Sequence, residues 1–158
     1  MLPRSASVSS HMDVFSRTFL PATAEAGLPI ATVSRHIPVF RRCIEPDDTT
    51  VLVARCLRQD RPLTDYMLLL TYRRLVVTQE TRVLHRLRLH LNANVRHLSD
   101  VTWNPDLRTS VVEVAATAVD GIRERFLMRL AEPEQVWHFD RLLTHVFRDR
   151  RRNVSLAA

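Results

Sequence analysis

The clearest alternation of apolar and polar residues lies in residues 82–91, where Leu87, Leu89 and Leu91 are interleaved with Arg86, Arg88 and His90. A period of two marks a half-buried β-strand, because successive side chains leave opposite faces of the pleat. The pattern predicts leucines in the core and cations on the solvent face. The same reading places strands at 50–57, 65–71, 74–78, 95–103, 110–119 and 122–130. Residues 65–71 are apolar on both faces, which suits a strand in mid-sheet. Turn chemistry separates these runs. Glu45-Pro46-Asp47-Asp48 launches the first strand, Thr71-Tyr72-Arg73 is a tight connection, and Asp120-Gly121 tolerates the positive φ of a hairpin turn.

Past the last strand the period changes. Val136, Phe139, Leu143 and Val146 recur at three- and four-residue steps, joined by Leu142 and Phe147, which predicts an amphipathic helix. Pro133 suits its first turn, where the missing N–H has no partner to lose, with Glu132 and Glu134 near the positive end of the dipole. At the other end of the chain, Pro21, Pro29 and Pro38 exclude one long helix between residues 13 and 48, so short helical pieces packed on the domain are expected. Residues 1–12 read as a disordered polar leader, with Met12 as an alternative start, and 149–158 as a flexible basic tail. The organisation expected is therefore one domain over residues 49–148 with an N-terminal extension. The fold class is mainly β (α+β): a bent antiparallel sheet or partly open barrel of about seven strands, capped by one C-terminal helix.

Composition narrows the setting. A chain of 158 residues, 46% hydrophobic and 25% charged, can bury a core without staples. The spacing of Cys43 and Cys56 matches no redox pair or zinc knuckle, and no apolar run approaches the length of a membrane span. A reducing, cytoplasmic location is expected. The formal charge of +6 suits an anionic partner, yet all 23 basic residues are arginine, the footprint of a GC-rich coding sequence.

At residues 68–78, LLLTYRRLVVT, the chain resembles the paired strands of bacterial pleckstrin-homology-like and GRAM-like domains. The segment 97–103, HLSDVTW, is similar to their entry into a later strand, and the helix bearing Trp137 resembles their C-terminal cap. The resemblance spans about one domain's length. It implies a strongly bent sheet plugged by the helix, in a module that binds lipid or protein or builds assemblies. In phosphoinositide-binding members a basic residue ends the first strand and a basic-x-basic pattern opens the second. Arg55 and Arg58 match the first element, but Asp65-Tyr66-Met67 departs from the second.

No nucleophile elbow, HExxH helix or glycine-rich phosphate loop is present, and Gly27 and Gly121 are the only glycines. The chain is therefore expected to be a non-enzymatic module with no cofactor. His85, His90 and His97 do not make a metal site, since His85 and His90 would project to opposite faces of one strand. Asp47 and Asp48 read as solvated turn residues rather than as an acid and base. The leading candidate surface is a basic sheet face: Arg82, Arg86, Arg88 and His90 on one strand, joined by Arg123, Arg125 and Arg129 on another. It competes with a solvated face whose arginines pair with acids such as Glu113. Trp137 falls off the helix stripe. It is expected to be covered by the N-terminal segment bearing Phe15 and Phe19, or else to be an aromatic anchor for a partner. Arg148, Arg150, Arg151 and Arg152 form a further basic cluster that could meet acidic lipid. The partner expected first is another protein. An anionic membrane surface ranks second and nucleic acid below it, for want of interleaved aromatics. A small-ligand pocket inside the sheet and self-association stay open.

Overall fold

The structure is a computed structural model that describes residues 12–149. The expected leader and tail, with Arg150, Arg151 and Arg152, lie almost wholly outside the described residues. Seven strands form one antiparallel sheet: β1 (Thr50–Leu57), β2 (Thr64–Thr71), β3 (Arg74–Thr81), β4 (Leu87–Asn94), β5 (Ser99–Asp106), β6 (Val111–Thr117) and β7 (Arg123–Arg129). Their order across the sheet is β4-β3-β2-β1-β7-β6-β5. β1 runs along β2 for most of its length but meets β7 only where Cys56 and Leu57 pair with Met128 and Leu127. At that short seam the sheet folds over itself. Tyr66 on β2 and His90 on β4 consequently touch Phe126 on β7, with ring centroids 6.0 and 5.9 Å apart, although neither strand neighbours β7.

The fold encloses an inner core of Leu52, Leu68, Leu70, Val77, Val114 and Phe126. Its end is closed by α4 (Pro133–Thr144), which inserts Val136, Phe139 and Leu143 and continues as a π-helical turn, His145–Asp149, that adds Val146 and Phe147. The stripe read from the sequence is thus the buried one. Gln135 Oε1 satisfies the N–H groups of Ala131 and Glu132 at the start of this helix, at 2.9 and 3.2 Å.

A second core lies on the outer face of β1–β3. α1 (Val14–Glu25), α2 (Ile30–Ser34) and α3 (Ile37–Cys43) lay Phe15, Phe19, Val33 and Phe40 over Val53, Met67, Leu69 and Val76. This cover is why β2 is apolar on both faces. Each buried large side chain contributes about 1.5–3 kcal/mol, so these helices are a structural layer. The prolines divide them: Pro29 precedes α2, Pro38 sits in the first turn of α3, and Pro21 alone of the three lies beyond a helix's first turn. Asp13 caps α1 by accepting from the Ser16 N–H at 2.8 Å, and Gly27, at φ 67°, turns the chain out of it.

Three expectations need correction. Residues 82–86 do not belong to a strand: they close a turn in which His85 takes a left-handed φ of 48° and donates its N–H to Thr81 at 2.9 Å. The leucines of β4 do not share one face. The β3–β4 register shifts between Val77 and Thr78, which pair with Leu91 and Leu89, so His90 is the extra residue of a β-bulge. Leu91 packs on the inner core, while Leu89 turns outward and is 45% exposed. Finally, Val95–His97 forms a 3-10 turn ahead of β5 rather than the start of a strand.

Candidate functional site

The arginines expected on one basic face are dispersed. Arg82 and Arg86 lie in the β3–β4 turn, Arg88 on edge strand β4, and His90 turns toward the inner core. Arg123, Arg125 and Arg129 do share the outer face of β7, but three strands separate β7 from β4. Most of these groups are also engaged. Arg82 holds Asp65 at 3.1 Å, and Arg125 holds Glu113 at 2.9 Å, the pairing that a solvated face would make. Arg123 donates to the Asp100 carbonyl at 2.8 Å and to the Thr102 hydroxyl at 3.0 Å. Among the described residues, Arg86, Arg88 and Arg129 have exposed side chains with no carboxylate partner.

Arg58, the family-like basic residue at the end of β1, is committed internally. Its guanidinium bonds Glu124, approaches His90 Nε2 at 2.8 Å and grips both oxygens of Asp60 at 3.1 Å. It also lies over the Tyr66 and Phe126 rings. Burial works against its charge, but the Asp60 hydrogen bonds and the Glu124 charge outweigh that, and its pKa stands above the usual value. A phosphate would have to displace two carboxylates to reach it. Beside it, a cleft of about 270 Å³ lies between the β1–β2 loop and the outer face of β6 and β7, with Arg58, Asp60, Glu113, Arg123 and Arg125 among its lining. This cleft lies on the outer face and is not the expected pocket within the sheet.

A second buried polar cluster joins the N-terminal helices to the sheet. His36, between α2 and α3, shares a 2.7 Å hydrogen bond between Nδ1 and Thr78 Oγ1, and its Nε2 lies 3.7 Å from Glu80. Arg35 pairs with the same carboxylate. Burial holds the His36 imidazole below the ordinary histidine range, against the pull of Glu80. Thr78 is fully buried, so this Thr-His-Glu array has no access to a substrate.

At the helix end, Trp137 is 51% exposed. The expected cover does not form, because Phe15 and Phe19 are used on the outer face of the sheet. α1 reaches α4 through Glu25, whose carbonyl accepts from Gln135 at 2.6 Å and whose carboxylate lies 3.3 Å from His138. Trp103 is the partly buried tryptophan here: its indole N–H donates to Asp140 at 2.8 Å, and Arg148 stacks 4.5 Å over its ring. That stacking occupies the described part of the expected basic tail.

The Arg58–His90–Glu124 network was readable in part. Glu124 alternates with Arg123 and Arg125, and the same period of two that turns the arginines out turns Glu124 in. His90 and Arg58 gave no such signal, since one depends on a bulge and the other on the fold-over of the sheet. Among the described residues no group of three histidine, cysteine or acidic side chains is placed to hold a metal ion, and both cysteines are free thiols. No described helix is long and apolar enough to cross a membrane. No protein-family model matches the chain, and no curated protein matches it.

Proposed function

We propose that the chain is a non-catalytic binding or scaffolding module of the pleckstrin-homology-like type, working in the cytoplasm through contact with another protein. A bent seven-stranded sheet closed by a C-terminal helix is the architecture that the resemblance implied, and it supports the module type. The observation that carries protein contact is Trp137, half exposed on a helix whose other large apolar residues are buried or half-buried. Tryptophan is a frequent energetic anchor at protein interfaces. Glu134 and Arg141, three residues before it and four after, give the same helix face both signs of charge.

An anionic membrane is the second reading. The β1–β2 loop and the β3–β4 turn are joined where the Arg82 N–H donates to the Leu63 carbonyl at 3.2 Å, and they expose Leu63, Val83 and Leu84 beside Arg82 and Arg86. The commitment of Arg58 to Asp60 and Glu124 favours protein over headgroup. One experiment separates the two: affinity capture from the native cell with mass spectrometry, beside co-sedimentation with acidic liposomes. The expected result is a stoichiometric protein partner that Trp137→Ala loses, with stability changed by no more than about 0.5 kcal/mol. Sedimentation with acidic liposomes and no captured protein would replace this reading by the membrane one.

A further inference from the structure

The sheet has two edges, and they are not alike. Along an edge strand alternate N–H and C=O groups lack partners, and proteins usually blunt such edges with proline, bulges, charge or a covering element. β5 is blunted in this way. It contains Pro105, its register breaks between Ser99 and Thr102, Asp100 and Asp106 lie within it, and α4 lies against it through the Trp103–Asp140 bond. β4 pairs with β3 alone, and among the described residues no strand lies on its other side. Its sequence, LRLHLNAN, has no proline, and its blunting is confined to the His90 bulge, the charge of Arg88 and the contact of α3. The bulge at His90 interrupts the edge without capping it, since that side chain turns toward Arg58 and Glu124.

The side chains along this edge specify what could lie there. Leu89 is exposed on the outer face and Leu87 half-buried, so an incoming strand would find apolar contact. Arg86 and Arg88 are exposed at the β3–β4 end and, like most of the described arginines, make no ion pair with a described carboxylate. Two unpaired cations oppose a second copy of the same edge, because self-pairing would gather four arginines and no acid along one seam. The same cations favour a segment that carries carboxylates.

We propose that β4 is a docking edge for an extended, acidic segment of a partner protein, which adds to the sheet as a further strand. Main-chain hydrogen bonds to β4 would supply affinity, and alternating apolar and acidic side chains on the incoming strand would read Leu89 and the two arginines. The proposal rests on the chain being a protein-binding module but not on the Trp137 face.

Selection of a phage-displayed library of random peptides against the full chain, followed by amide hydrogen exchange with an enriched peptide, tests it. Enriched peptides should alternate apolar residues with Asp or Glu and slow exchange in β4. N-methylation of alternate peptide amides should abolish binding, and Arg86→Glu with Arg88→Glu should weaken it about tenfold or more with an unchanged melt. Peptides that protect only α4, and are lost in Trp137→Ala, would overturn the edge proposal while supporting the module reading. The edge proposal also fails if no acidic peptide is enriched, if N-methylated peptides bind equally well, or if phosphatidylserine vesicles and no peptide protect the β3–β4 turn. Capture of a partner by the full chain is scored separately and decides the module reading alone.

Discussion

The His36 imidazole is buried between helix and sheet, facing Thr78 and Glu80, with Arg35 and Arg55 acting on it electrostatically. Burial lowers its pKa, and the two arginines add to that while Glu80 opposes it. The folded protein therefore takes up the His36 proton at lower pH than the unfolded chain does. Below about pH 6.5 the unfolded state binds more protons, so stability must fall as pH drops through that point toward the folded pKa. It is fully present above. Urea melts between about pH 7.5 and about pH 5 should show this slope, and His36→Gln, which keeps a polar side chain without the titration, should flatten it. Equal slopes in the two proteins would remove His36 as the cause. This cluster was illegible in the sequence because Thr78 and Glu80 look like ordinary outward polar positions of β3. Only the layer formed by α1–α3 buries them, and nothing local to β3 announces that layer.

At the scale of elements, legibility follows how local the cause is. β1 and α4 are set by their own periodicity and turn residues, and both begin where those features place them. β4 is shifted because residues 82–86, which fold as a turn, contain no Gly, Pro, Asn or Asp to announce one, and because a bulge is a property of two strands. Simple alternation would put Leu89 and Leu91 in equivalent surroundings, whereas the shifted register predicts unequal ones. Leu89→Asp should cost no more than about 0.5–1 kcal/mol, as expected of an exposed position. Leu91→Asp, which brings a carboxylate to the inner core, should cost about 2 kcal/mol or more. Denaturant midpoints of the two variants measure the difference directly. Equal losses would mean that the strand pairs without the bulge, and that the outward leucine of the proposed docking edge is misplaced.

For the molecule as a whole, the question is whether the N-terminal helices are an appendage or part of one cooperative fold. Their connections reach both ends of the structure. The Thr18 hydroxyl accepts from the Thr50 N–H at 2.9 Å, the Phe15 N–H donates to the Pro46 carbonyl at 3.2 Å, and Glu25 meets α4. Phe19 and Phe40 are essentially fully buried and pack edge to face, with centroids 5.9 Å apart, over strands that lie in the middle of the sheet. Removing them would leave Val53, Met67, Leu69 and Val76 as an apolar strip on a sheet face. Phe19→Ala should therefore destabilise the whole chain by about 3–5 kcal/mol, as a core phenylalanine does, although it lies outside the bent sheet. Trp103 and Trp137 report on the α4 end, outside the core cluster that holds Phe19, and far-UV circular dichroism reports on all helices. Both probes should shift together in the variant and trace one transition, as a two-state domain requires. A fluorescence midpoint unmoved by Phe19→Ala, with only the helical signal lost early, would show that α1–α3 melt as a separate layer. The sheet would then have to stay folded with that apolar strip exposed to water.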